Sequence, residues 1–361
     1  MDVDHDGSVR SLQVGDVELV TKAMAEAGRT RRFKARSCGV TPRLLIPLCK
    51  GLEACRTLRE VNLAQNSLRN PGKDALGALN GFIMRMPLTS LDLSHCSLGD
   101  EDIGSLATGL LKCPSLQELA LEGNRFGNQG AVVLADVALV ALPNLEVLNL
   151  GGNAMHGAGV IRVCKAVAAH APNLRVFIVH SFDPAGEESD AALAIAHVLK
   201  TCEKLVHVDL SGTTFPDVQC ILDGALAPLG LHTLNLGSIP DEAAAVKTVR
   251  QSRGLEIWGR SPARHAVPGP ALNMANATSR HLRALRALLV AACVQEEDRR
   301  AAAAQSGGRA KLRGPLNEFV SRDGDGALCF CIAEFLRGQP SSASNAVRRW
   351  GNWGPARWGG A

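Results

Sequence analysis

Hydrophobic positions in this chain recur in one composite pattern, Leu-x-x-Leu-x-Leu-x-x-Asn/Cys-x-Leu. The fullest copy is Leu58, Val61, Leu63, Asn66 and Leu68, followed by Leu88, Leu91, Leu93, Cys96 and Leu98. Two more read Leu116, Leu119, Leu121, Asn124, Phe126 and Leu145, Leu148, Leu150, Asn153, Met155. Degenerate copies begin at Thr30 (Phe33, Ala35, Cys38, Val40), Leu174, Leu205 and Leu231. The starts at 30, 58, 88, 116, 145, 174, 205 and 231 are separated by 28, 30, 28, 29, 29, 31 and 26 residues. A fixed period of this size marks a stacked repeat architecture, whose partners meet a long open surface rather than a buried site.

Two spacings alternate within each unit. Val61 and Leu63 fall on one side of an alternating stretch and Asn62 and Ala64 on the other, which predicts a short strand. Helical spacing follows. Over 100–113 the residues Ile103, Leu106, Leu110 and Leu111 recur at three and four, and 131–142 and 158–169 repeat this with Val and Ala. Asp102, Gly130 and Gly159 lie near the predicted helix entrances. Each unit is therefore expected to run strand, turn, helix, return loop. Neither half buries its apolar side alone, and stacking joins them into one core. After the strand the chain turns sharply and its backbone groups lose their ladder partners. A buried amide satisfies several of them at once. Asn66, Asn124 and Asn153 are predicted for that role, with Cys38 and Cys96 as smaller substitutes.

The period, the Asn/Cys alternation and the full helix per unit, over residues 16–260, resemble ribonuclease-inhibitor-type leucine-rich repeats. That class includes the ribonuclease inhibitor, Ran GTPase-activating proteins and the repeat domains of NOD-like receptors. The resemblance implies an α/β leucine-rich-repeat solenoid, a horseshoe with parallel strands on the concave face and helices on the convex face. It speaks to fold more than to function, because the class serves many partners. The expected organisation is an acidic tail and capping helix over 1–29, about eight repeats over 30–260, a linker and helical region over 261–338, and a disordered Arg/Gly/Trp tail over 339–361. Val17, Leu19, Val20 and Ala23 carry the capping helix, and Leu255, Ile257 and Trp258 a last partial strand.

The chain is 46% apolar but only 4% aromatic, without Tyr, which suits a Leu, Val and Ala core. Net charge is +4, with the basic excess mostly outside the repeats. The acidic opening lacks the apolar run of a secretory signal. The most apolar window, 131–142, is interrupted by Asp136 and is too short to span a bilayer. A cytoplasmic protein is expected, with no membrane contact. The eleven cysteines are odd in number and scattered. Cys55, Cys113 and Cys202 each precede a repeat start by three residues, a packing position. Neither the Cys329/Cys331 pair nor any other spacing suggests zinc. Asp2, Asp4, Asp6 and Gly7 spell the first half of a calcium loop, but its twelfth position is Gln13, so calcium binding is disfavoured. A second hint, Asp323 and Asp325, places Ile332 at the twelfth position and is weaker. No metal or cofactor is expected.

Residues alternating with the core leucines should face a partner. In order they are Arg32, Lys34 and Arg36; Glu60 and Asn62; Ser90, Asp92 and Ser94; Glu118 and Glu122. After these come Val147, Asn149, Val176, Ile178 and His180, then His207, Asp209 and Ser211. A basic end gives way to an acidic stretch and then to an apolar patch at Val176 and Ile178. Acidic residues on rigid strands favour a protein partner with a basic surface and disfavour nucleic acid on this face. The expected contacts are Glu60, Asn62, Asp92, Glu118, Glu122, Val176, Ile178, His207 and Asp209. Catalytic motifs are missing: neither Gly-x4-Gly-Lys-Ser/Thr, nor Gly-x-Ser-x-Gly, nor His-Glu-x-x-His occurs. The reading is a non-catalytic protein-binding scaffold. The alternative implied by the resemblance is a GTPase activator similar to the Ran activators, with Asn66, Arg69, Asn124 and Arg125 as candidate contacts. The long acidic C-terminal tail of that family is replaced here by a basic, Trp-containing one.

Overall fold

The computed structural model describes residues 13–69, 71–252, 254–260 and 275–276. Asp2, Asp4, Asp6, the Cys329/Cys331 pair, the expected linker and helix over 261–305 apart from Ala275 and Asn276, and the tail over 339–361 lie outside them. Contacts divide the chain into units Met1–Ser279 and Arg280–Ala361, and every described residue belongs to the first.

Nine short strands form one parallel sheet in strict sequence order. They are β1 (Arg32–Lys34), β2 (Glu60–Asn62), β3 (Ser90–Asp92), β4 (Glu118–Ala120), β5 (Val147–Asn149), β6 (Val176–Ile178), β7 (His207–Leu210), β8 (Thr233–Ser238) and β9 (Glu256–Arg260). Helix α1 (Val14–Ala27) precedes β1. Between the strands run α2 (Pro42–Leu52), α3 (Gly72–Arg85), α4 (Asp100–Leu110), α5 (Asn128–Val133), α6 (Gly157–His170), α7 (Glu188–Thr201), α8 (Gln219–Gly224) and α9 (Glu242–Gln251). Each helix packs on its sequence neighbour, as repeat stacking requires. The fifth is irregular: α5 continues as a wider turn over Leu134–Ala138 and a tight one over Leu139–Ala141. Among the described residues, no helix is long and apolar enough to cross a membrane.

The middle residue of each strand points into the core. Phe33, Val61, Leu91, Leu119, Leu148, Phe177, Val208, Leu234 and Ile257 lie in register across all nine strands. A second buried row follows with Leu63, Leu93, Leu121, Leu150, Val179 and Leu210. Ala64, expected on the outer side, is buried as well, because the chain is already turning inward there. The turn is left-handed in consecutive repeats, at Ser37, Gln65, His95, Gly123, Gly152, Ser181 and Gly212. Through it the parallel ladder continues: Gln65 N–H donates to the Ser94 carbonyl at 2.8 Å and His95 N–H to the Glu122 carbonyl at 2.7 Å.

The asparagine ladder takes up the groups that this turn orphans. Asn124 Nδ2 donates to the Leu93 and Leu121 carbonyls, each at 2.9 Å, while its Oδ1 accepts from the N–H groups of Cys96 and Leu98 at 3.0 Å. Asn66 and Asn153 donate in the same pattern, and Cys96 Sγ makes weaker contacts, to the Leu63 carbonyl at 3.3 Å and the Ser94 carbonyl at 3.6 Å. In the next repeats the position holds Phe182 and then Thr213, whose hydroxyl exchanges bonds with the Phe182 backbone.

Candidate functional site

Parallel sheets are normally covered on both faces. Among the described residues the helices pack on one another and bury the inner side, while β1 to β4 and β7 show burial only at inner positions. The open side carries two ladders in register. The first is Arg32, Glu60, Ser90, Glu118, Val147, Val176, His207, Thr233 and Glu256. The second is Lys34, Asn62, Asp92, Ala120, Asn149, Ile178, Asp209, Asn235 and Trp258. Just past the strand ends come Glu122 and His180. The strands thus bring all nine expected contact residues to one face, with Glu122 at its margin.

Their availability differs from the expectation. At Asn62, Asp92, Asn149 and Asp209 the side-chain Oδ1 accepts the N–H two residues ahead, at 3.0, 3.0, 3.1 and 2.8 Å. Each closes its own strand end by a local side-chain turn. The remaining polar atoms tie neighbouring strands together. Asn62 Nδ2 donates to Asp92 Oδ2 at 2.7 Å, and Asn235 Nδ2 donates to Asp209 Oδ2 at 3.3 Å. Asn62, Asp92 and Asp209 therefore serve the sheet before they serve a partner.

The apolar patch needs a second correction. Ile178 is 8% exposed and Val147 6%, and only Val176 is half-buried. Neighbouring strands lie about 4.8 Å apart, so side chains of equal register cover one another. Ile178 sits between Asn149 and Asp209 in this way. Of the loop residues considered for GTPase contact, Asn66 and Asn124 are buried and committed to the ladder, whereas Arg69 and Arg125 are exposed.

A polar cluster that spacing alone does not reveal lies over β4 to β7. Glu122 Oε2 accepts from Asn149 Nδ2 at 2.8 Å, and Glu122 Oε1 lies 3.4 Å from His180 Nε2. One whole repeat separates that of Glu122 from that of His180, so the imidazole reaches across the loop after β5. It lies over Gly151, where a Cβ would collide with the ring. His180 Nδ1 is 3.1 Å from Ser181 Oγ. The His180 contact, reinforced by Asn149, lowers the Glu122 pKa despite partial burial. The same contact raises the His180 pKa, with Asp209 adding to the effect. His207 moves the other way, because burial disfavours its charged form. Toward the N-terminal edge, Arg32 approaches Glu60 at 3.9 Å.

Known proteins share parts of this pattern. The Leucine Rich repeat family matches residues 86–107, 112–135 and 141–164. Mouse Protein NLRC5 is 35% identical over 97 residues, which is 27% of this chain and 5% of that protein. Bovine Tonsoku-like protein is 35% identical over 132 residues, 36% of this chain and 9% of its own length. The chain thus spans less than a tenth of these relatives. Among solved structures, the leucine-rich-repeat ectodomain of the Arabidopsis thaliana receptor kinase GASSHO1/SCHENGEN3, in complex with CASPARIAN STRIP INTEGRITY FACTOR 2, aligns with a TM-score of 0.34 and 17% identity. That alignment covers 58% of this chain and 25% of that one.

Proposed function

Because this chain is a leucine-rich-repeat protein whose described residues leave one sheet face bare, we propose that it is a non-catalytic scaffold whose concave strands hold a basic segment of a protein partner. The observation that carries the reading is the open parallel sheet itself. Among the described residues, a continuous surface of nine strands lacks the cover that such sheets otherwise have. Charge supplies the partner's chemistry. Glu60, Asp92, Glu118 and Glu122 lie on three consecutive repeats around the small Ala120, which stands in register with Asp92 and Asn149. Opposite charge across such a face steers encounter and sets specificity more than it adds affinity. Buried free thiols support a reducing, cytoplasmic setting: Cys49 and Cys96 are pushed up to about 12 by burial and stay inert.

The test is fluorescence anisotropy with a labelled arginine-rich peptide and a glutamate-rich control. Saturable binding of the arginine peptide is expected, weakening with salt. Glu118→Lys, which leaves the Glu122 bridge intact, should weaken it at least fivefold. Equal affinity for both peptides would overturn the reading.

A further inference from the structure

We infer that His180 is an internal competitor for the docking carboxylate Glu122, so that a cationic partner binds by displacing it and releases a proton. The inference rests on the concave-face reading above and adds the regulation of that face.

The geometry is specific. Glu122 stands just past the end of β4 on this face, and the chain already supplies it with a cationic group. His180 Nε2 reaches its Oε1 across an entire repeat at 3.4 Å. Gly151 on the intervening repeat leaves the channel through which the ring lies. The other carboxylate oxygen is held by Asn149 at 2.8 Å. A partner's guanidinium arriving at Ala120 therefore finds Glu122 oriented, with one oxygen occupied by a group that is detachable.

The sign follows from the charges around the ring. From the β4 side His180 faces Glu122, and from the β7 side Asp209; its own loop presents Ser181, and Gly151 brings no charge. His95 lies close enough to Glu122 to act on its charge, and His207 stands on the same strand as Asp209. His207 is driven toward its neutral form by burial, so His180 is the imidazole whose charge is favoured here. Protonated His180 holds Glu122 and repels an incoming cation. Neutral His180 holds Glu122 only by a weaker hydrogen bond and does not repel the cation. Docking takes Glu122 away from the ring, lowers the imidazole's affinity for its proton, and so expels that proton. Affinity for an arginine peptide must then rise with pH through the His180 titration, by at most about tenfold per pH unit for one proton.

Anisotropy with the labelled arginine peptide at pH 6.0 and pH 8.0 tests this, because arginine keeps its charge at both. The wild-type protein should bind about fivefold or more tightly at pH 8.0. His180→Gln should bind at pH 6.0 as tightly as at pH 8.0. In a separate titration of the imidazole signals by NMR, without peptide, Glu122→Gln should move His180 to a lower midpoint. Binding that is tighter at pH 6.0, pH dependence that survives in His180→Gln, or a His180 midpoint unmoved by Glu122→Gln would each overturn the inference. Failure of the peptide to bind either protein at either pH would overturn the docking reading and this inference with it. Binding that ignores pH in the wild type overturns the inference alone.

Discussion

Single residues divide this surface into groups that hold the sheet and groups that remain for a partner. Glu122 and His180 belong to both, and their pH dependence separates the roles. The folded pKa of His180 is raised, so its contribution to stability is complete below the ordinary imidazole value and is lost as pH climbs through the raised one. The folded pKa of Glu122 is lowered, so its contribution is present above the ordinary carboxylate range and is lost as pH falls through the depressed value. The bridge therefore stabilises only in the window between. Both groups are partly exposed, which limits it to about 0.5–1 kcal/mol. His180→Gln should cost that much at pH 6 and less at pH 9 by urea unfolding; an equal loss at both would assign the effect to ring packing over Gly151. Asn124→Ala should be far costlier. It strands the Leu93 carbonyl and two N–H groups in the interior, each worth about 1–3 kcal/mol when unpaired, while the Leu121 carbonyl keeps its bond from Asn153 Nδ2 at 2.9 Å. A loss below about 2 kcal/mol in the same measurement would mean that water reaches them. The role of Asn124 was legible because its spacing repeats. That of Asp92 was not, since an aspartate which closes its own turn and one which greets a partner occupy the same alternating position.

At the scale of elements, what repeats is a relation between neighbours, and a linear reading misses half of it. The helix entrances were expected at Asp102, Gly130 and Gly159, and Asp102 does accept its own helix's Gly99 N–H at 2.9 Å. The stronger caps come from the preceding repeat. Asp100 Oδ1 accepts from Gly127 and Gly130 at 2.8 and 2.6 Å, at the start of α5. Asn128 Oδ1 does the same for His156 and Gly159 at the start of α6, at 2.8 and 3.1 Å. Gly130 and Gly159 are small because these caps press against them. Asp100→Ala removes a cap without touching its own helix's ladder, so a loss of about 1 kcal/mol is expected. Hydrogen exchange should quicken at Gly127 and Gly130 of the following repeat, and not at the start of α4. Faster exchange confined to α4 would contradict the assignment.

For the repeat unit as a whole, stability is close to a sum over neighbouring repeats, so its ends decide how it opens. The N-terminal end is covered by α1, which places Val17 and Met24 in the core and packs on α2. At the other end, among the described residues, β9 has no following strand. Asn276 takes that place: its Oδ1 accepts from Ile257 N–H at 3.0 Å and its Nδ2 donates to the Ile257 carbonyl at 2.6 Å. One fully buried amide thus makes the two bonds that a tenth strand would make there, and closes an edge that would otherwise recruit another chain. Sequence spacing predicts the strand at Leu255, Ile257 and Trp258 but not this stopper, which stands nineteen residues past Ile257 and outside the period. Asn276→Ala should therefore unzip the array from this end. Amide protection should fall first along β9, then β8, while β3 to β5 keep theirs, and the variant should self-associate at concentrations where the parent does not. A uniform loss of protection across all nine strands would instead show that the stack opens as one cooperative block. Nearest-neighbour coupling would then be too strong for any end to lead.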